Sequence, residues 1–298
     1  MRTTKRFTPT VLERFRKEGR GTGIYAEYIP WHRVSRGDPA SLGRSHLLNW
    51  RGRQRELLSD GELIMTLFVT MQPGIHDLRE QFPLSLKTAH HEMCDYYPGS
   101  ISQGFPGTQD IADQLGHKHP KTTGNGEAAP WVMSTDLVLV LQQPNGRLEL
   151  LAIAYKTAEE LKSPRKIQLL EIEQAYWQVR NVQWLLITPN QYDKRVGLAL
   201  RRIAPWALDI PAPENVITLV ANTVQTLPEQ SLTSILRYLS NVTGEMELSQ
   251  RALWQAVCLG YLPIDLTRGW RPHLLLKCLD QPAFLAQNPI VMRRTAWT

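Results

Sequence analysis

Cysteine is scarce in this chain, and long apolar runs are missing. Its 298 residues hold 3 cysteines (Cys94, Cys258 and Cys278), an odd number without a CxxC pair. That scarcity excludes a disulfide scaffold and a zinc finger, and it fits a reducing cytosol. No stretch is apolar for long enough to span a bilayer. The basic N-terminus is not followed by the apolar core of a secretion signal. Internal repeats and low-complexity tracts are also missing. A hydrophobic content of 42% is ordinary for a globular protein, and this length supports one large or two ordinary domains.

Acidic residues are the minority, with 28 Asp and Glu against 34 Lys and Arg. The imbalance is concentrated at one end: residues 1–56 carry 13 Lys and Arg against 5 Asp and Glu. Tyr25, Tyr28, Trp31 and Trp50 are interleaved with those cations. Arginine beside aromatic rings suits phosphate contact and base or sugar stacking, so nucleic acid is the expected partner. A solvated basic arm is the bland alternative.

The stretch from Trp131 to Lys156 reads as two apolar strands joined by a Pro-Asn-Gly turn. Asp136 sits inside the first strand and Lys156 ends the second. A carboxylate in an apolar strand is costly unless a cation pairs with it. A loop of three residues (Pro144, Asn145, Gly146), or of five centred on Asn145, sets Asp136 opposite Ala154. Ala154 and Lys156 then share the face of Asp136, because side chains alternate along a strand. A strict two-residue Asn-Gly turn slips the register and sends Lys156 to the other face. A divalent metal and a phosphate would satisfy the acid and the lysine together. The competing reading is a plain hairpin whose Asp and Lys are structural.

Elsewhere the pattern predicts a short helix near Pro9–Lys17 in an otherwise irregular first segment. Asp60 is expected to cap a helix running to about Met71, closed by Pro73-Gly74. Ile75–Phe82 reads as a strand, His90–Pro106 as an exposed loop, Gln109–Leu115 as a short helix and His117–Pro130 as loop. Ser163-Pro164 starts a helix to about Val179, and Trp184–Thr188 is a short buried strand. Glu62, within SDGEL, falls in the first turn of the helix after Asp60. Beyond residue 191, Arg195–Trp206, Leu227–Leu239 and Ser249–Cys258 look helical and Pro211–Pro213 marks a linker. A strand-like Tyr261–Leu266 makes this part compatible with a winged-helix module. The expected domains are 1–190 and 191–298, an α/β core followed by a mostly helical region.

A series of short motifs gives the chain a resemblance. They are EGRGTG (Glu18–Gly23), YIPW (Tyr28–Trp31), GRSH (Gly43–His46), LLSDGEL (Leu57–Leu63), DLREQFPL (Asp77–Leu84), the His-Pro of LGHKHP (Leu115–Pro120), MSTD (Met133–Asp136), LAIAYK (Leu151–Lys156) and LEIEQAYW (Leu170–Trp177). In this order they resemble the TnsA-type endonucleases of heteromeric cut-and-paste transposases, over roughly residues 18–188. The resemblance implies a restriction-endonuclease-like mixed sheet. It also implies cleavage of the 5′, non-transferred strands at transposon ends. Glu62 and Asp136 match the metal-binding carboxylates and Lys156 the catalytic lysine, with Mg²⁺ as cofactor and Mn²⁺ as substitute.

The family carries Gln where this chain has Ala154, so one metal-holding side chain is gone. Backbone carbonyls such as that of Tyr155 are left to replace it, and weaker metal binding is expected. Glu173 matches a further acidic position, either supporting the site or lying on a solvated helix face. Arg20, Arg44 and His46 are expected DNA contacts. His117 and His119 are expected as loop residues or phosphate contacts, and Arg79 and Glu80 as partners of neighbouring charges. The implied partners are double-stranded DNA, a TnsB-like recombinase and a TnsC-like AAA+ ATPase, the last at residues 191–298, in a bacterial, nucleoid-associated cytoplasmic setting. Two rival readings follow: a non-catalytic DNA-binding adaptor that has lost metal through Ala154, and an independent restriction or repair nuclease.

Overall fold

The strands β6 (Ser134–Gln142) and β7 (Leu148–Tyr155), as numbered along the chain below, are nearly continuous apolar runs. Runs of that kind suit strands covered on both faces. The computed structural model describes residues 7–35, 38, 44–97, 103–227, 229–268 and 271–297. Gly43 of the GRSH motif, residues 98–102 of the expected loop and Pro228 of an expected helix lie outside them.

The chain forms two units, and residues 1–63 and 74–188 make up nearly all of the first. Its elements are α1 (Pro9–Lys17), β1 (His46–Trp50), β2 (Arg53–Leu57), the start of α2 (Asp60–Thr70), β3 (Ile75–Pro83), α3 (Thr108–Gln114), β4 (Lys121–Gly124), β5 (Glu127–Pro130), β6, β7, α4 (Pro164–Gln178) and β8 (Gln183–Ile187). Four strands form a mixed sheet in the order β3-β6-β7-β8. The first two pairings are antiparallel, and β7 and β8 are parallel, joined through α4.

The β6–β7 register pairs Leu137 with Ile153 and Gln142 with Leu148, leaving residues 143–147 as the loop. That is the five-residue alternative, closed by the Gly146 N–H on the Gln143 carbonyl at 2.8 Å. One step further along the ladder, Asp136 faces Ala154.

Two ribbons occupy stretches expected to be irregular. Among the described residues β1 pairs only with β2, and β4 only with β5, each antiparallel. Their turns are two residues long, with left-handed φ at Arg51 (52°) and Gly52 (72°), and at Asn125 (52°) and Gly126 (80°). Such turns match the twist of a hairpin. The Asn125-Gly126 signal was present in the sequence. Arg51-Gly52 gave only half of it.

The second unit comprises residues 64–73 and nearly all of 189–298. It holds the rest of α2 and α5 (Lys194–Ala207), α6 (Glu214–Gln225), α7 (Leu232–Thr243), α8 (Met246–Cys258) and α9 (Gln281–Leu285). Ala252, Leu253, Trp254, Ala256 and Val257 of α8 are buried, as are Ile217, Val220, Ala221 and Val224 of α6. α6 was not anticipated. α7 begins later than expected, because Ser231 caps it by accepting the Ser234 N–H. The expected strand at Tyr261–Leu266 is instead an isolated bridge, Ile264 to Cys278. Among the described residues no helix is long and apolar enough to cross a membrane.

Candidate active site

Glu62 owes its position to the start of α2. Ser59, rather than Asp60, is the cap: its carbonyl accepts the Leu63 N–H at 3.1 Å and its hydroxyl oxygen the Glu62 N–H at 3.1 Å. Glu62 answers with its side chain. Oε1 accepts the Ser59 hydroxyl at 3.0 Å and Oε2 the Leu58 N–H at 2.8 Å. The sequence is that of a capping box, S-x-x-E, but the Glu62 side chain takes the N–H one residue before the cap instead of that of Ser59. Asp60 is displaced from the expected role because its carboxylate pairs with His46 Nε2 at 2.8 Å and Arg44 at 3.6 Å.

Unlike most first-turn glutamates, Glu62 is buried. Gly61 makes that possible. A Cβ at Gly61 would lie 1.8 Å from Cε1 of Tyr155, so only glycine lets the helix start against the end of β7. Gly61 carried no sequence signal beyond its place in SDGEL.

Asp136 enters from β6. Its Oδ2 accepts the Tyr155 N–H at 2.7 Å and the Lys156 ammonium at 3.0 Å. Lys156 Nζ also donates to the Tyr155 carbonyl at 2.9 Å. The backbone of Lys156 is fixed in turn by its N–H on the Ile187 carbonyl of β8 at 3.1 Å. The hairpin register therefore delivers the pairing that the sequence arithmetic demanded.

Glu173 is buried on α4 and is not on a solvated face. Its Oε1 accepts the Thr135 hydroxyl at 2.8 Å and Trp184 Nε1 at 3.2 Å. Trp177 Nε1 donates to the same Thr135 oxygen at 2.8 Å. Thr135 thus joins Trp177 to Glu173, and Trp184 reaches the same carboxylate oxygen directly.

The electrostatics tie these groups together. Burial first, and the Asp136 charge second, push the Glu62 carboxyl up to about 7. Burial likewise pushes Glu173 up to about 7, with Lys156 pulling down and Asp136 pushing up. For Lys156, burial acts to lower the ammonium, but the carboxylates of Asp136 and Glu173 outweigh it and raise it. Lys156 is therefore a held cation, facing more acid than it can neutralise.

That excess is the test of fit for a metal. Among the described residues no group of three or more His, Cys, Asp or Glu is placed to hold an ion. Ala154 is buried and offers no donor. Two mutually repelling carboxylates are nevertheless a hard-oxygen site, and a divalent cation would offset both the burial of the Glu62 charge and its repulsion by Asp136. Oxygen donors beyond the acids are the Tyr155 carbonyl and Gln81, whose Nε2 donates to Glu62 Oε2 at 2.8 Å. Gln81 was missed by sequence reasoning, although it lies within the DLREQFPL motif.

The other expected contacts divide. Arg20 is buried, with Nε on Glu18 at 2.7 Å, one terminal nitrogen on Asp38 at 2.5 Å and the guanidinium 3.7 Å over the Phe15 ring. It fastens α1 and is not presented to DNA, so that expectation is withdrawn. Arg44 is exposed, and His46 and Arg44 meet at Asp60, next to the helix start that carries Glu62. His117 pairs with Glu171 at 2.5 Å. His119 is buried on the Thr108 hydroxyl at 3.0 Å, which makes it structural. Arg79 pairs with Asp95 at 2.6 Å, and Glu80 takes both terminal nitrogens of Arg53 at 2.5 Å.

A mixed four-stranded sheet with Asp136 and Lys156 near the ends of its central strands, and Glu62 and Glu173 on the helices beside them, defines a protein of restriction-endonuclease-like fold. Residues 72–189 match the family model described as TnsA-like endonuclease N terminal. Over 287 residues the chain is 28% identical to the transposon Tn7 transposition protein TnsA of Escherichia coli, across 92% of this chain and 91% of that protein. The chain is thus similar to the TnsA-type endonucleases, in its sheet and site most of all.

Proposed function

We propose that this protein is a Mg²⁺-dependent DNA endonuclease that cuts the 5′, non-transferred strands at transposon ends. The observation that supports this best is the Asp136–Lys156 contact at 3.0 Å, in whose field the Glu62 carboxyl lies. Glu62, Asp136 and the Tyr155 carbonyl would hold Mg²⁺, or Mn²⁺ in its place. When bound, the ion would polarise the phosphodiester and make its bound water more acidic. Lys156, kept as an ammonium by Asp136 and Glu173, orients the attacking water and offsets the charge that builds on the phosphate. Glu173, held by Thr135 and Trp184, keeps Lys156 charged. Hydrolysis leaves a 3′-OH and a 5′-phosphate.

Arg44 and His46 are the DNA contacts of this reading, at the base of the β1–β2 ribbon. Residues 1–190 form the nuclease part. Residues 191–298 are the docking region for a TnsC-like AAA+ ATPase, and a TnsB-like recombinase cuts and joins the other strand. The setting is the bacterial cytoplasm, at the nucleoid.

A plasmid carrying the transposon ends, incubated with all three proteins and Mg²⁺, tests the proposal. Asp136→Ala should lose the 5′-strand cut and keep the 3′-strand cut. A variant that yields wild-type products would refute the catalytic reading. The methyl group at Ala154 favours a second reading, a DNA-binding adaptor without catalysis; it predicts no 5′ cut from the wild type either. Robust cutting by the chain alone would point to an independent nuclease.

A further inference from the structure

We propose that the side-chain carbonyl oxygen of Gln81 is a third oxygen donor to the divalent cation that Glu62 and Asp136 would hold. The inference rests on the metal-dependent reading above and names a ligand beyond it.

Gln81 stands in the row of Asp136. Its neighbours Glu80 and Phe82 pair with Leu137 and Thr135, which sets Gln81 level with Asp136 across the ladder. Its backbone is unusual for the interior of a strand, with φ at 51°. A non-glycine residue in the left-handed region within a strand is uncommon and is found where surrounding contacts impose it. One such contact is visible: the Gln81 carbonyl accepts the Trp31 N–H at 3.2 Å. The residue is only 2% exposed, so the side chain has little freedom.

The two ends of the amide are treated differently. Nε2 is tied to Glu62 Oε2 at 2.8 Å, while Oε1 accepts no hydrogen bond among the described residues. Gln81 Oε1 is not among the fully buried atoms that lack a partner, so it keeps the access to open space that an incoming ion requires. Hard divalent cations take amide carbonyls as supplementary ligands beside carboxylates. On the other flank of Asp136, Ala154 supplies nothing. A third carboxylate would add to the repulsion between Glu62 and Asp136, whereas an amide adds an oxygen without charge. The Nε2 tie fixes which end of the amide is left for the ion.

The test is Mn²⁺ titration of the full chain by calorimetry, with wild type, Gln81→Ala and Gln81→Glu. The alanine variant should bind about tenfold more weakly or worse. The glutamate variant should bind at least as tightly as wild type, because it keeps the oxygen and its added charge, which repels Glu62 in the metal-free state, is offset once a cation binds. If the glutamate variant is weakened as much as the alanine variant, Gln81 merely steadies Glu62 and the inference fails alone. If the wild type binds neither Mn²⁺ nor Mg²⁺, the metal-dependent reading fails as well. Should a variant not fold, the wild type gives its own answer by carbon NMR. A Mg²⁺-induced shift of the Gln81 side-chain carbonyl resonance supports the assignment, and a metal-saturated chain with that resonance unmoved overturns it.

Discussion

Replacing Glu62 with Gln should make the metal-free protein more stable at pH 8 while abolishing strand cleavage. The folded Glu62 carboxyl sits at about 7, against an ordinary 4.5. Between those values the native state binds more protons than the unfolded chain, so stability falls as pH rises through that window. A shift of that size costs about 3 kcal/mol once the pH is above both values. The Glu62→Gln variant escapes that cost. Its new amide oxygen still accepts from Leu58 and Gln81, and its amide nitrogen can donate to the Ser59 hydroxyl oxygen. A charge-assisted contact becomes a neutral one, which takes back part of the gain. The net expectation is about 1–2 kcal/mol, or roughly 2–8 °C in Tm for a unit of this size. Thermal melts in chelator at pH 8 and pH 5 read it out. At pH 5 Glu62 is protonated in the fold and only the unfolded carboxyl is ionised, so the gain should be much smaller than at pH 8. Mg²⁺ at pH 8 should then stabilise the wild type and leave the Gln variant unmoved. A Gln variant less stable than wild type at pH 8, or a gain of equal size at pH 5, would refute the reasoning.

Three further outcomes are expected. Lys156→Met should slow cleavage by about 10²–10³-fold by removing the cation that offsets phosphate charge; wild-type rates from a folded variant would show that Lys156 only pairs with Asp136. Gly61→Ala puts a methyl group 1.8 Å from the Tyr155 ring and should cost about 1–3 kcal/mol in a urea melt, with cleavage reduced as the Tyr155 carbonyl moves; a silent substitution would mean the helix start is not locked on β7. Arg20→Ala should destabilise the fold by about 3–5 kcal/mol, since it removes the guanidinium that pairs with buried Asp38, and leave the salt dependence of DNA binding unchanged. Arg44→Ala should do the reverse, lowering the salt slope by about 1 in a binding titration at several ionic strengths.

Legibility followed chain locality. The β6–β7 hairpin could be read residue by residue because its pattern is local. Two apolar runs flank a turn, and one parity argument puts Asp136, Ala154 and Lys156 in register. Glu62 was legible as a motif but not as a buried acid. Its burial depends on Gly61 meeting Tyr155 from β7, a contact that spans 94 positions and leaves no local trace. Arg20 was misread for a related reason. In the sequence it is one of many cations in a basic segment, and its partners are Asp38, Glu18 and the face of Phe15. Count and spacing cannot tell an arginine that fastens a helix from one that meets phosphate.

Gln81 marks where sequence reasoning ran out. A glutamine in Arg-Glu-Gln-Phe reads as a polar position of an edge strand, and period-two patterning treats it as interchangeable with its neighbours. Two long-range facts set it apart: the Trp31 N–H that takes its carbonyl, and the ladder that levels it with Asp136. Both arise only after the N-terminal segment and the hairpin have packed on opposite sides of β3. The acids of this site are thus encoded by strand pattern and helix capping, whereas the neutral groups around them are encoded by assembly. That division has a physical cause. A buried charge must announce itself by breaking an apolar pattern, but an amide or a glycine can enter the same site without breaking any.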